Sequence, residues 1–139
     1  MDILDAISSD ARFRIPATRL ALAHASHQPD TYVYLFTHES PAMHGSLGAC
    51  HALELPFVFG TLGAPTQDRF AGNGPEVERL SAAMMDAWLS FARTGRPASE
   101  DLPAWPPYDI SRPTMIFDKP SRIEHDPFGD ERQAIENLT

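Results

Sequence analysis

Cysteine is nearly absent: Cys50 is the only one in 139 residues. That excludes an intrachain disulfide and a thiolate metal cluster. Positive charge is scarce too. Eleven Lys and Arg stand against nineteen Asp and Glu, a formal net charge of −8. No basic stripe is available to neutralise phosphates, so neither nucleic acid nor an anionic membrane surface is expected as a partner. No apolar run approaches the roughly 18 residues of a spanning helix, so no membrane span is expected. The opening residues, Met1-Asp2-Ile3-Leu4-Asp5, carry no basic region, and no signal peptide is expected from them. Internal repeats and low-complexity tracts are missing. What is present is a composition that can fold, 42% apolar and 22% charged, enough for one domain with a modest core. Proline is plentiful at thirteen residues, and the prolines crowd the chain after residue 96, marking an irregular C-terminal third.

Periodicity predicts the elements. Residues 1–9 read as a short helix. Residues 10–27 read as another, with Phe13, Ala17, Leu20 and His24 on one face. Pro16 is tolerated near a first turn and bends a helix anywhere deeper. Residues 31–37 form a strand by β-branched and aromatic enrichment. Tyr32, Tyr34 and Phe36 lie on one face and Val33 and Leu35 on the other. A strand apolar on both faces belongs in the middle of a covered parallel sheet. Only one other strand is evident, around 114–117, so the sheet is incomplete and the chain reads as part of something larger. Residues 38–50 are a loop, 52–59 a short apolar element, and 60–74 a glycine-rich loop. Gly74 or Asn73 then caps a long helix with Pro75 at its first position. Val77, Leu80, Met84, Trp88 and Phe91 form its apolar face, and Gly95 and Pro97 end it. The tail is polar, with a helix expected over 131–138.

Six histidines are the main candidates for chemistry. His51 follows a strand and a Gly-containing loop, where an α/β-hydrolase carries its general base. On spacing alone, a structural histidine is the plainer reading. His51 and Glu54 suggest a base with its orienter or half a metal site, but zinc needs three or four ligands. Nothing in the spacing of His38, His44 and His51 requires them to converge, so no metal site is expected. Cys50 and His51 are adjacent in an extended segment, where neighbouring side chains point apart. Cys50 is therefore read as a small buried thiol. His24, His27 and His125 read as packing or surface residues.

Several segments, in order, resemble the type-B carboxylesterase and cholinesterase family. Phe13-Arg14-Ile15-Pro16-Ala17 is similar to a family helix start. Tyr32-Val33-Tyr34-Leu35-Phe36 is similar to the strand before its histidine loop. Gly48-Ala49-Cys50-His51-Ala52-Leu53-Glu54-Leu55-Pro56-Phe57-Val58-Phe59-Gly60 resembles the histidine segment, although Ala52 stands where the family often has Gly. Met85-Asp86-Ala87-Trp88-Leu89-Ser90-Phe91-Ala92-Arg93-Thr94-Gly95-Arg96-Pro97 resembles the helix after it. Trp105-Pro106-Pro107-Tyr108 and Met115-Ile116-Phe117-Asp118 resemble its close. The match covers about residues 10–118, with 119–139 as a polar tail.

The resemblance implies an α/β class: the C-terminal part of an α/β-hydrolase fold, an incomplete sheet with covering helices, over residues 1–139. It implies that His51 is the base of a Ser-His-acid triad, with the nucleophile, the acid and the oxyanion-hole glycines all upstream. No Gly-x-Ser-x-Gly occurs here, and His44-Gly45-Ser46-Leu47-Gly48 is the nearest approach. Glu54 in that family is not the triad acid, and Asp118 comes after the histidine, in the wrong order for it. Leu47, Leu53 and Phe57 are expected to wall the substrate site. The substrate is an ester and no cofactor is expected. The chain alone is expected to be inactive. It needs an N-terminal hydrolase portion, or self-association, to cover its exposed core. The alternative is a non-catalytic, cholinesterase-like adhesion or binding module.

Overall fold

The computed structural model describes residues 3–137. The chain divides into two compact units. One gathers the chain up to Val33, Pro106–Thr114 and the chain from Glu124 onward. The other comprises Tyr34–Trp105 and Met115–Ile123.

In the first unit, α1 (Ile3–Ser9) runs through a π-helical turn (Asp10–Arg14) into α2 (Ile15–Ala25). The two expected helices are thus one continuous helical segment. The π turn takes up the break: the Ile15 N–H donates five residues back to the Asp10 carbonyl. Pro16 follows at once, and the π-helical turn before it already interrupts the regular i−4 ladder at the place where its missing N–H falls. Only Ile15 of α2 is buried. The expected apolar face is uncovered, with Phe13 72% and Leu20 70% exposed. Isolated helices of this length are marginal in water, so such a face is normally held by packing.

The remainder of this unit is tied by charge. Helix α6 (Gly129–Glu136) carries Arg132, which donates to both carboxylate oxygens of Asp126 at 3.1 and 2.7 Å and also to Glu136. Arg14 donates to both oxygens of Asp10 at 2.6 Å and to the Pro127 carbonyl. Its guanidinium lies over the Phe128 ring. The hydrogen bonds from Arg132 hold the Asp126 carboxyl below its ordinary pKa against the pull of burial. A carboxyl depressed in the folded state stabilises above its unfolded pKa of about 3.9 and loses that contribution as pH falls through the folded value. Thermal melts are therefore expected to show a falling Tm below about pH 4, and Asp126→Asn should flatten that acid limb.

In the second unit, β1 (Tyr34–Phe36) pairs in parallel with the Met115–Phe117 part of β2 (Pro113–Phe117): Tyr34 opposite Met115, Leu35 opposite Ile116 and Phe36 opposite Phe117. With β3 (Arg122–His125) the strand order is β1-β2-β3. The expected strand over 31–37 is ordered as ladder only over three residues, because β1 has a neighbour on one side alone. Every residue of β2 is buried. Strand β3 was not expected in the tail; Arg-Ile-Glu-His offers a single apolar residue and no strand pattern.

Helix α5 (Pro75–Thr94) has Gly74 as its N-cap and Pro75 at its first position, as its sequence predicts. It ends at Gly95, whose φ of 77° lets its N–H reach the Phe91 carbonyl at 2.8 Å. Val77, Leu80 and Met84 are buried, and Trp88 is partly so. Phe91, expected on the same face, is about half exposed, past the reach of the core. The core of this unit joins Leu53, Phe57, Ala71, Val77, Leu80, Met84, Met115 and Phe117. Among the described residues, no helix is long and apolar enough to cross a membrane.

Candidate active site

The histidine loop leaves β1 at the carboxyl end of a parallel strand, the edge where open α/β sheets place their chemistry. Thr37 anchors its start. The Thr37 N–H donates to the Phe117 carbonyl at 3.0 Å, and its hydroxyl donates to Asp118 at 2.9 Å. His38 and Ser40 follow, 3% and 1% exposed. A short 3-10 turn (Ala42–Gly45) carries the chain outward, with Met43 and His44 in left-handed conformation. The chain returns through Gly48 and Cys50 to His51, and α3 (Leu55–Val58) then carries it back into the core.

His51 is exposed on a turn, and among the described residues no hydrogen bond or ion pair holds its ring. Its neighbours point inward. Cys50, expected to be a small buried thiol, is partly buried and packs against the core. Leu53 and Phe57 are fully buried in the core, and Leu47 is 37% exposed on the loop. The turn after His51 has a consequence for Ala52, whose φ is +66°. A left-handed residue other than Gly costs roughly 1–2 kcal/mol. Glycine would remove that strain at some cost in chain entropy, roughly 0.5–1 kcal/mol. Ala52→Gly is expected to stabilise by about 0.5–1 kcal/mol, read as a higher urea midpoint at unchanged slope.

No hydrogen bond or ion pair joins Glu54 to His51. The Glu54 charge instead acts on Tyr34, whose ring meets Trp88 and Phe117 edge-on. Burial, and then the Glu54 carboxylate, push the Tyr34 hydroxyl's pKa up. No group of three or more His, Cys, Asp or Glu among the described residues is placed to hold a metal ion.

His38 is the histidine that spacing alone did not single out. Its Nε2 lies 2.8 Å from the Ala71 carbonyl, so Nε2 carries the proton and donates. Its ring meets those of Phe36 and Phe57 edge-on. Burial pushes its pKa below the usual histidine value, with Lys119 adding to the effect; the Ala71 bond, Asp118 and Glu39 pull the other way. The ring is neutral and structural. Helix α4 (Gln67–Ala71), which supplies that carbonyl, lies in the stretch expected to be loop. Its five residues hold two aromatic or aliphatic side chains of different registers and no readable period.

The model of the carboxylesterase family matches residues 1–133. The chain belongs to the carboxylesterase family. Para-nitrobenzyl esterase from Bacillus subtilis is 38% identical over 129 residues, covering 91% of this chain and 26% of that protein. Acetylcholinesterase from Bungarus fasciatus is 33% identical over 119 residues, 83% of this chain and 19% of that one. Among solved structures, a Geobacillus stearothermophilus carboxylesterase superposes with a TM-score of 0.76 at 42% identity over 91% of this chain and 26% of its own. An esterase from Clostridium hathewayi covers the whole chain with a TM-score of 0.81 at 25% identity, using 27% of its own length. This carboxylesterase-family chain thus spans about a quarter of such relatives. Its small sheet and helices are part of an α/β-hydrolase fold.

Proposed function

We infer that the chain is the C-terminal part of a serine carboxylic-ester hydrolase, with His51 as the general base of its triad. The observation that carries this reading is the position of His51. It stands exposed on a loop that leaves the carboxyl end of a parallel strand, within a segment of carboxylesterase character. The serine nucleophile, the acid and the oxyanion hole then belong to sequence upstream of residue 1. In the complete protein, the imidazole takes the serine proton as Oγ attacks the ester carbonyl. It returns that proton to the departing alcohol. In the second half it takes a proton from water as the water oxygen attacks the acyl-serine, and returns that proton to the serine Oγ as the acid departs.

Leu47, about a third exposed on this loop, is the residue of the three proposed here to touch substrate. Leu53 and Phe57, expected to share that role, set the loop from beneath through the core. The upstream hydrolase portion, or failing that a second copy, covers the apolar helix residues Phe13 and Leu20. The test is hydrolysis of a short-chain p-nitrophenyl ester. The full polypeptide is expected to turn it over, and the 139-residue chain alone should not exceed buffer. Hydrolysis by the chain alone would put a nucleophile on it, with Ser46 and Cys50 the residues to examine. An inert full polypeptide would overturn ester hydrolysis.

A further inference from the structure

The histidine loop is held by two buried side chains that have no chemistry of their own in the triad. The Ser40 hydroxyl donates to the Phe70 carbonyl at 2.6 Å, and His38 donates to the adjoining Ala71 carbonyl at 2.8 Å. Phe70 and Ala71 end α4, and the last carbonyls of a helix have no partner within it. Two side chains from the outgoing limb of the histidine loop therefore satisfy the C-terminus of α4. Ser40 also bridges to the returning limb. Its N–H donates to the Gly48 carbonyl at 3.0 Å, three residues before His51, and its Oγ accepts from the Ala42 N–H at 3.1 Å. Gly48 in turn accepts from the Cys50 N–H at 3.1 Å. A chain of hydrogen bonds thus runs from α4 through Ser40 and Gly48 to the residue before His51.

Burial makes these bonds hard to exchange for water. A buried hydroxyl or imidazole that loses its partner is left desolvated and unpaired, so the latch has one favoured arrangement. Among the described residues nothing braces the His51 ring; the upstream acid would orient it in the complete protein, and this chain's part is to place its backbone. We propose that Ser40 and His38 are positioning residues that latch the histidine loop onto α4 and so fix His51 for proton transfer. The inference rests on His51 being the base. The geometry of that base is then set by a latch between its loop and the end of α4.

The test uses the full esterase polypeptide, a p-nitrophenyl ester, and the initial burst of p-nitrophenol to titrate competent sites. Rates are taken at about 10 °C, near the temperature of maximum stability, so that a weakened variant stays folded. Ser40→Ala, which deletes one oxygen, is expected to lower kcat per titrated site by about 10- to 100-fold with KM within about threefold, the scale of a misplaced catalytic group. His38→Leu should do the same. His38→Gln, whose amide keeps a donor near the place of Nε2, should restore most of the rate. Parent-like kcat per titrated site in Ser40→Ala and His38→Leu, with only burst amplitude or Tm reduced, would overturn the latch. If His51→Ala is silent in that same experiment, the catalytic reading stands without it. A His51→Ala variant as active as the parent would overturn both together.

Discussion

On the proposed function, His51→Ala in the full polypeptide is expected to lower kcat for a short-chain p-nitrophenyl ester by at least about 10⁴-fold, the scale found when a triad member is removed. KM should move little. The imidazole acts on a proton in flight and adds little to binding of the resting ester, so its loss falls on the transition state. Three residues of this chain that carry comparable groups are engaged elsewhere. Cys50 packs into the core, Glu54 acts on Tyr34, and His38 is committed to the Ala71 carbonyl in a neutral, buried state. The variant should also fold as the parent does, because within this chain the His51 side chain is exposed and fills no core space, so its loss opens no cavity there. A melt at the parent temperature together with a silent enzyme is the expected pair of results. A kcat within tenfold of the parent would remove His51 from the mechanism.

Helix α5 was legible because every local signal agreed: Pro75 at the start, Gly95 at the stop, and an apolar period between them. The parallel strand and the loop after it were legible for a similar reason, since Tyr34, Leu35 and Phe36 are apolar on both faces and the glycines follow. What escaped reading was short or polar. Helix α4 owes its place to His38 and Ser40, residues some thirty positions away, and no local pattern reports such a bond. Strand β3 has one apolar residue among four and is called into the sheet by β2. The join of α1 to α2 depends on a π turn, which leaves no compositional mark. The site divides the same way. Its histidine stands in a segment that family resemblance makes visible, whereas the residues that hold the loop are visible only once the chain is folded. Leu53 and Phe57 show the limit of proximity in sequence. They lie within six residues of His51, but the turn at Ala52 sends both inward.

Phe57→Ala should cost about 3–5 kcal/mol of stability, the range for deleting a fully buried aromatic ring. Phe57 is at 0% exposure on α3, with its ring edge-on to Phe36 at 5.1 Å and to His38 at 5.1 Å. Removing it opens a cavity between the strand that feeds the loop, the loop's buried histidine and the core. Its backbone is held independently, because the Ser81 hydroxyl of α5 donates to the Phe57 carbonyl at 2.8 Å. Collapse of α3 into the gap is thereby resisted, which places the expected loss toward the upper end of the range. A loss of that size is a large part of the roughly 5–15 kcal/mol that holds a typical domain, and it should appear in urea unfolding as a sharply lower midpoint. The kinetic signature separates a core residue from a substrate contact. As a core residue, Phe57 should lower the fraction of competent sites while leaving KM for those that remain near the parent value. A stable Phe57→Ala protein with a KM raised tenfold would instead return Phe57 to the wall of the substrate site, and the burial of α3 would have to give way in the working enzyme.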